Sequence, residues 1–116
     1  MGIRIEDIER VDFADVVDTR LKRLPPTHPG VILRQTMEEM GLSQYAVSKA
    51  LSVPPRRINE IVHGKRGITA DTALRLSRYF GTSAQFWMNL QVVYDLEKAR
   101  RKLGRHLQTQ VKALAA

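Results

Sequence analysis

The side chains best suited to contact another molecule follow Pro54-Pro55 within about one and a half helical turns. They are Arg56, Arg57, Asn59 and Glu60. A guanidinium donates to guanine or to phosphate, the asparagine amide pairs with adenine, and a glutamate accepts from cytosine. Proline favours the first turn of a helix, where its missing N–H has no helical partner. A helix that begins here would present this set to the major groove of duplex DNA.

No comparable set of residues points to catalysis or to metal binding. The sequence contains no cysteine, which excludes disulfides, thiolate zinc sites and cysteine nucleophiles. His28, His63 and His106 have no carboxylate or second histidine at ligand spacing. The serines lack a paired base, and no glycine-rich loop resembles a nucleotide cradle. We therefore expect no enzyme activity, no metal and no cofactor.

The charge of the chain is divided unevenly along its 116 residues, which carry a formal net charge of +7. Residues 1–19 contain six acidic and two basic side chains, a net of −4, so the remainder carries +11. A basic body favours a polyanionic partner. No apolar run approaches the ~18 residues of a membrane span, and the N-terminus has no signal-peptide core. We expect a cytoplasmic protein.

Helix-start and helix-stop residues predict about five helices and no strand, because no segment alternates with a period of two. The helices begin near Pro29, Ser43, Pro55, Thr69 and Ser83. The fifth is the longest. A proline-rich stretch from Leu24 to Gly30 marks a boundary. The predicted organisation is an acidic and apolar N-terminal extension (1–24), a DNA-binding domain (25–97) and a basic helical tail (98–116).

The second and third predicted helices have the pattern of two helices joined by a tight turn. Ser48 is the small residue that a close approach of their backbones needs, and the wedge between them would hold Val47, Val53, Ile58 and Ile61. Gln44 to Ile61 resembles the helix-turn-helix of phage-repressor-type (Cro/C1, Xre-like) proteins. Ser52 stands where that pattern usually has glycine, so we expect a less comfortable φ there.

Longer motifs resemble one family within that group. They are His28-Pro29-Gly30, residues 53–76 (VPPRRINEIVHGKRGITADTALRL) and residues 80–91 (FGTSAQFWMNLQ). Together they resemble the HigA antitoxins, also described as virulence-associated-protein-I-like, over about residues 24–97. The resemblance implies an all-α, five-helix phage-repressor-like domain, here with an N-terminal extension and a long C-terminal helix.

The same resemblance implies a function. The chain would be the antitoxin of a type II toxin–antitoxin system. It would neutralise a HigB-type ribonuclease toxin and repress its own operon by binding a double-stranded operator. The principal alternative is a stand-alone Xre-type repressor without a toxin partner. An RNA-binding regulator and an oligomerising scaffold are weaker alternatives.

The resemblance also assigns DNA contacts to individual residues. They are Gln44, Arg56, Arg57, Asn59, Lys65 and Arg66. Gln44 would touch a phosphate or support the recognition helix, and Lys65 and Arg66 would contact the DNA backbone. The competing interpretation is a solvated basic face. Which arginine contacts a base and which a phosphate does not follow from sequence.

The N-terminal extension combines acidic with apolar side chains. We infer that it could dock on a cationic nuclease surface by charge complementarity. The candidate toxin-binding residues are Ile5, Ile8, Glu9, Asp12 and Phe13. The alternative is a solvated leader.

Apolar residues at three-to-four spacing continue from the fifth helix into the tail, as in a helix-packing seam. The candidate dimerisation residues are Leu90, Val93, Leu103 and Leu107. A homodimer would place two recognition helices about one DNA turn apart. Phe86 and Trp87 could instead stack on bases, but their spacing favours packing. The basic residues of the tail would follow phosphates or simply aid solubility.

Overall fold

In the computed structural model, residues 26–114 are described, and within them the chain forms six α-helices and no strand. They are α1 (Pro29–Met40), α2 (Gln44–Leu51), α3 (Pro55–Val62), α4 (Ala70–Phe80), α5 (Ala84–Leu103) and α6 (His106–Gln110). The all-α prediction is confirmed, and α1 to α5 lie where the start and stop residues placed them. The short α6 is an addition to the five predicted helices.

Local side-chain chemistry sets the helix starts. Ser43, Thr69 and Ser83 cap α2, α4 and α5, and each side-chain oxygen accepts from the N–H three residues later, at 3.0, 3.4 and 3.0 Å. These bonds satisfy N–H groups that have no partner within the helix. His28 caps α1, with its Nδ1 accepting from the N–H of Gly30 at 2.9 Å.

The core lies where the first five helices meet. It contains Leu33, Met37, Val47, Leu51, Val53, Ile58, Ile61, Ile68, Ala73, Leu76 and Trp87. All four residues predicted to fill the wedge between α2 and α3 are buried. Ser48 is buried with them, and its hydroxyl donates to the Tyr45 carbonyl at 2.8 Å. The burial of Trp87 also removes it from any base-stacking surface.

The backbones of α1 and α3 approach closely at one glycine. A Cβ built on Gly30 would lie 1.8 Å from the carbonyl oxygen of Ile61. Any side chain at this position would collide with backbone, which cannot move aside as a flexible side chain can. Gly30 therefore determines how closely α3 can pack against the first helix.

The C-terminal seam is interrupted, contrary to expectation. Helix α5 continues for 20 residues, but Gly104, with φ 51° and ψ −131°, ends it before α6 begins. Leu103 and Leu107 therefore lie on different helices, and residues 111–114 are not helical. The apolar spacing that continues into the tail therefore crosses a break in the helix, because a glycine in this conformation redirects the backbone. The boundary proposed between residues 97 and 98 lies within α5 and stays a prediction.

The turn between α2 and α3 contains the expected strain. Ser52 has φ 55° and ψ 48°, and it is the one non-glycine residue with positive φ in the described part of the chain. Its N–H donates to the Lys49 carbonyl at 3.1 Å, as in a left-handed helix cap. A residue with a Cβ is disfavoured in this region of φ/ψ space.

We expect Ser52→Gly to raise the free energy of unfolding by about 0.5–1 kcal/mol. Relief of left-handed strain should outweigh the extra entropy that glycine gives the unfolded chain. Urea unfolding measures the difference. The matched control is Gly41→Ala, where φ is 66° and no atom lies within 4 Å of the added Cβ. It should destabilise for the same backbone reason, and a loss of stability in Ser52→Gly would contradict this account.

Candidate nucleic-acid interface

Helix α3 presents its polar residues on the side opposite the core. Arg56 is the most exposed of them, with 84% of its side chain accessible, and Asn59 is also exposed. Asn59 Nδ2 donates to Gln44 Oε1 at 3.0 Å, which joins the first residue of α2 to α3. Gln44 therefore contacts α3 directly, and Arg56 lies about one turn before Asn59 on that helix. Their contacts with DNA stay a prediction.

Glu60 connects α3 with the loop that follows it. Arg56 Nε donates to Glu60 Oε2 at 3.0 Å, and Arg66 Nε and Nη2 lie 2.9 and 2.8 Å from Oε1. The hydrogen bond from Arg56 is the largest cause that holds the pKa of Glu60 below its usual value, and the hydrogen bond from Arg66 is the next largest. The same carboxylate therefore orients one arginine of the helix and one of the loop.

Asp71, in the first turn of α4, connects that helix with α3. Its Oδ2 accepts from Arg75 Nε at 3.1 Å and from Arg57 Nη1 at 2.9 Å. Hydrogen bonds from Arg75 first, and then from Arg57, keep the pKa of this carboxyl below its ordinary value. Arg75 Nη1 also donates to the Leu51 carbonyl at 2.8 Å. Arg57 is thus braced against α4 and only 27% of its side chain is exposed.

Asp71 and Arg75 are not among the residues predicted for this surface. Their four-residue spacing on α4 predicts an ion pair. Their contacts with Arg57 and with the Leu51 carbonyl, by contrast, join residues 14 and 24 positions apart. Such contacts depend on how the helices pack, so no local pattern could have revealed them.

A cleft of about 420 Å³ lies between the loop after α3 and the start of α4. Arg57, Arg66 and Arg75 line it together with Thr69, Thr72 and the Asp71 carboxylate. Guanidinium groups in such a fork suit an anionic oxygen, and the adjacent helix start adds positive potential. Asp71 already pairs with Arg57 and Arg75, so Arg66 is the cleft arginine that does not contact this carboxylate. Lys65 is exposed in the same loop.

The remaining predicted sites are placed as follows. The toxin-binding residues of the extension, which are Ile5, Ile8, Glu9, Asp12 and Phe13, lie outside the described residues. Leu90 is half-buried against the core of its own chain, whereas Val93, Leu103 and Leu107 are exposed. Leu90 is therefore only partly available to a second copy. Dimerisation through these residues stays a prediction.

Within residues 26–114, no group of three histidine, cysteine, aspartate or glutamate side chains could hold a metal ion. In the same range, no helix is both long and apolar enough to cross a membrane.

His63 follows the last residue of α3, and its Nδ1 lies 2.7 Å from the Asn59 carbonyl. This histidine therefore caps the helix through its side chain.

The chain is similar in sequence to known helix-turn-helix proteins. The helix-turn-helix pattern covers residues 33–87. Virulence-associated protein I from Dichelobacter nodosus is 60% identical over 79 residues, which make up 67% of this chain and 73% of that protein.

Two solved structures superpose on the chain with a TM-score of 0.75. One is an addiction module antidote protein of a HigA family from Coxiella burnetii. It is 41% identical, over 77% of this chain and 98% of that one. The other is the Pseudomonas aeruginosa antitoxin HigA with higBA promoter, 46% identical over 78% of this chain and 99% of that one. About a fifth of this chain has no counterpart in either structure.

We expect Asp71→Asn to lower the thermal stability at pH 7, because Arg57 and Arg75 lose a charged acceptor. The pKa of Asp71 is lowered in the folded state, so its contribution is present above the ordinary value of about 4 and is lost as the pH falls through the folded pKa. The difference in Tm between wild type and Asp71→Asn should therefore shrink below about pH 4.

The control for this measurement is Glu38→Gln. The Glu38 carboxylate lies 3.6 Å from Arg34 Nε on the exposed surface of α1, and such pairs contribute little. Its Tm should stay close to that of the wild type. Equal Tm values for wild type and Asp71→Asn at pH 7 would contradict the bracing role of Asp71.

Proposed function

We propose that this chain, which belongs to the HigA family of helix-turn-helix antitoxins, binds operator DNA and represses transcription of its own operon. The observation that carries the proposal is the exposed polar side of α3, on which Arg56 and Asn59 lie beside Gln44. The similarity to an antitoxin solved with its promoter, over 99% of that protein, supports the same use of this surface.

In the proposed complex, α3 enters the major groove with its N-terminal residues toward the base edges. Arg56 and Asn59 are the base-reading candidates, because both are exposed on α3. Gln44, Lys65 and Arg66 flank them and would hold phosphates, which position the protein and give salt-dependent affinity. Arg57 would contact the DNA from the cleft at the start of α4, next to Asp71.

A palindromic operator requires two copies of α3, so the proposal includes a homodimer. The supporting feature is the exposed apolar surface of α5, where Val93 is 67% accessible and Val92, Leu96 and Leu103 are also exposed. Apolar side chains grouped on one helix in this way are typical of a surface that packs against a second copy. Leu107, on α6, would extend it.

The proposal also includes neutralisation of a HigB-type ribonuclease toxin in the cytoplasm. Two parts of the chain could bind it, namely the helical body and the acidic, apolar extension. The solved antitoxins that resemble the body lack a counterpart to about a fifth of this chain. We assign toxin binding to the extension because its acidic and apolar side chains suit a cationic nuclease surface. A stand-alone repressor, the alternative, would have no nuclease gene beside it.

We expect Arg56→Ala to weaken binding to the operator about 10- to 100-fold, the range for losing one good base contact. If Arg56 contacts a base, the loss should be larger on the operator than on a scrambled duplex. Fluorescence anisotropy at several salt concentrations measures both. Arg100→Ala, which removes an equally charged exposed side chain from α5, should change operator binding far less. Unchanged affinity in Arg56→Ala would contradict the assignment.

A chain that lacks residues 1–23 tests the extension. We expect it to bind the operator like the full chain but to lose neutralisation of the adjacent nuclease, measured as growth during co-expression. The full-length double variant Glu9→Lys with Asp12→Lys tests charge complementarity without deletion and should weaken neutralisation as well. Complete neutralisation by the shortened chain would assign toxin binding to the body instead.

A further inference from the structure

Two carboxylates on the proposed DNA-binding face each lie between two arginines. Glu60 accepts hydrogen bonds from Arg56 and Arg66, and Asp71 accepts them from Arg57 and Arg75. The four guanidinium groups of this face are thus engaged within the chain before any nucleic acid arrives. The two carboxylates halve the net positive charge of the four arginines. This face therefore differs from a surface of unpaired cations, which would attract every duplex equally.

The arginines paired with Asp71 and those paired with Glu60 differ in their exposure to solvent. The Asp71 cluster is anchored to the fold, because Arg75 also donates to the Leu51 carbonyl and Arg57 is largely covered. The Glu60 cluster is open, since 84% of the Arg56 side chain and 46% of the Arg66 side chain are exposed. The arginines of the Glu60 cluster can therefore exchange the carboxylate for a DNA group.

We propose that Glu60 determines specificity by holding Arg56 and Arg66 until a duplex offers acceptors to both guanidinium groups at once. The inference rests on the proposed DNA-binding function. A duplex in the wrong register offers acceptors to one arginine at most, and it brings phosphates toward the carboxylate, which repels them. The matching operator replaces both hydrogen bonds together. Glu60 thus penalises the wrong partner as well as orienting the arginines for the right one.

The substitution Glu60→Gln removes the charge and keeps the size of the side chain. We expect its affinity for a scrambled duplex to rise about 5- to 10-fold near 0.1 M salt, while its affinity for the operator changes less. Each additional phosphate contact steepens the dependence of log K on log salt concentration by about 0.9, so the slope for the scrambled duplex should steepen by about one to two. The ratio of specific to non-specific affinity therefore falls.

The chain contains a closely matched control on α5. Glu97 lies 3.9 Å from Arg100 Nη1 and 3.1 Å from Arg101 Nε, and 24% of its side chain is exposed, compared with 21% for Glu60. Glu97→Gln makes the same change of charge next to two arginines, but away from α3. It should leave the specificity ratio close to that of the wild type.

The substitution Glu60→Asp distinguishes the holding of Arg56 and Arg66 from the electrostatic repulsion of DNA phosphates. It keeps the charge on α3 but shortens the side chain by one methylene, so the carboxylate can no longer reach both arginines with the same geometry. We expect its specificity ratio to lie between those of wild type and Glu60→Gln. A ratio identical to that of the wild type would show that charge alone matters and would contradict the holding of both arginines.

The experiment compares operator and scrambled duplexes of equal length with the full chain and its three variants, over a series of salt concentrations. Circular dichroism melting establishes that each variant is folded. A wild-type chain that fails to prefer the operator contradicts the proposed function. A wild-type chain that prefers it, together with a Glu60→Gln variant that behaves like Glu97→Gln, contradicts this inference alone.

Discussion

The burial of one side of α3 is the constraint on which the rest of the structure depends. An isolated helix of eight residues is not stable in water, so α3 exists because its apolar residues are packed against neighbouring helices. Ile58 and Ile61 are completely buried, and truncating such a residue to alanine typically costs about 2–5 kcal/mol. Because these residues face the core, Arg56 and Asn59 must face outward. The packing that stabilises the helix also selects the side it presents to a partner.

Electrostatics then refine a surface that packing has already positioned. The body of the chain carries a large positive excess, yet the arginines around α3 are paired with Glu60 and Asp71. A surface built in this way differs from a uniformly basic one, because its cations have preferred orientations and partners before binding. The pair between Glu60 and the highly exposed Arg56 contributes little to stability, so its value lies in orientation and in discrimination between partners.

The net charge of +7 conceals two parts with different properties. The chain matches two related antitoxins over nearly their whole length, and about a fifth of it has no counterpart in them. Opposite charges on one chain allow the two parts to favour different partners, since an acidic segment is repelled by the phosphates that attract the body. We therefore propose separate regions for DNA binding and protein binding.

The sequence by itself determined the helices, because their starts and ends depend on residues a few positions apart. The serine and threonine caps, the wedge residues and the strained turn at Ser52 were all predictable, and they place the polar side of α3 outward. The break at Gly104 was not foreseen, because apolar spacing continues across it. Four-residue spacing accounts for the Arg56–Glu60 and Asp71–Arg75 pairs. Tertiary structure alone decided that Arg57 reaches Asp71 and that Arg75 reaches the Leu51 carbonyl. Those partners are set by the relative positions of packed helices, which no local pattern specifies.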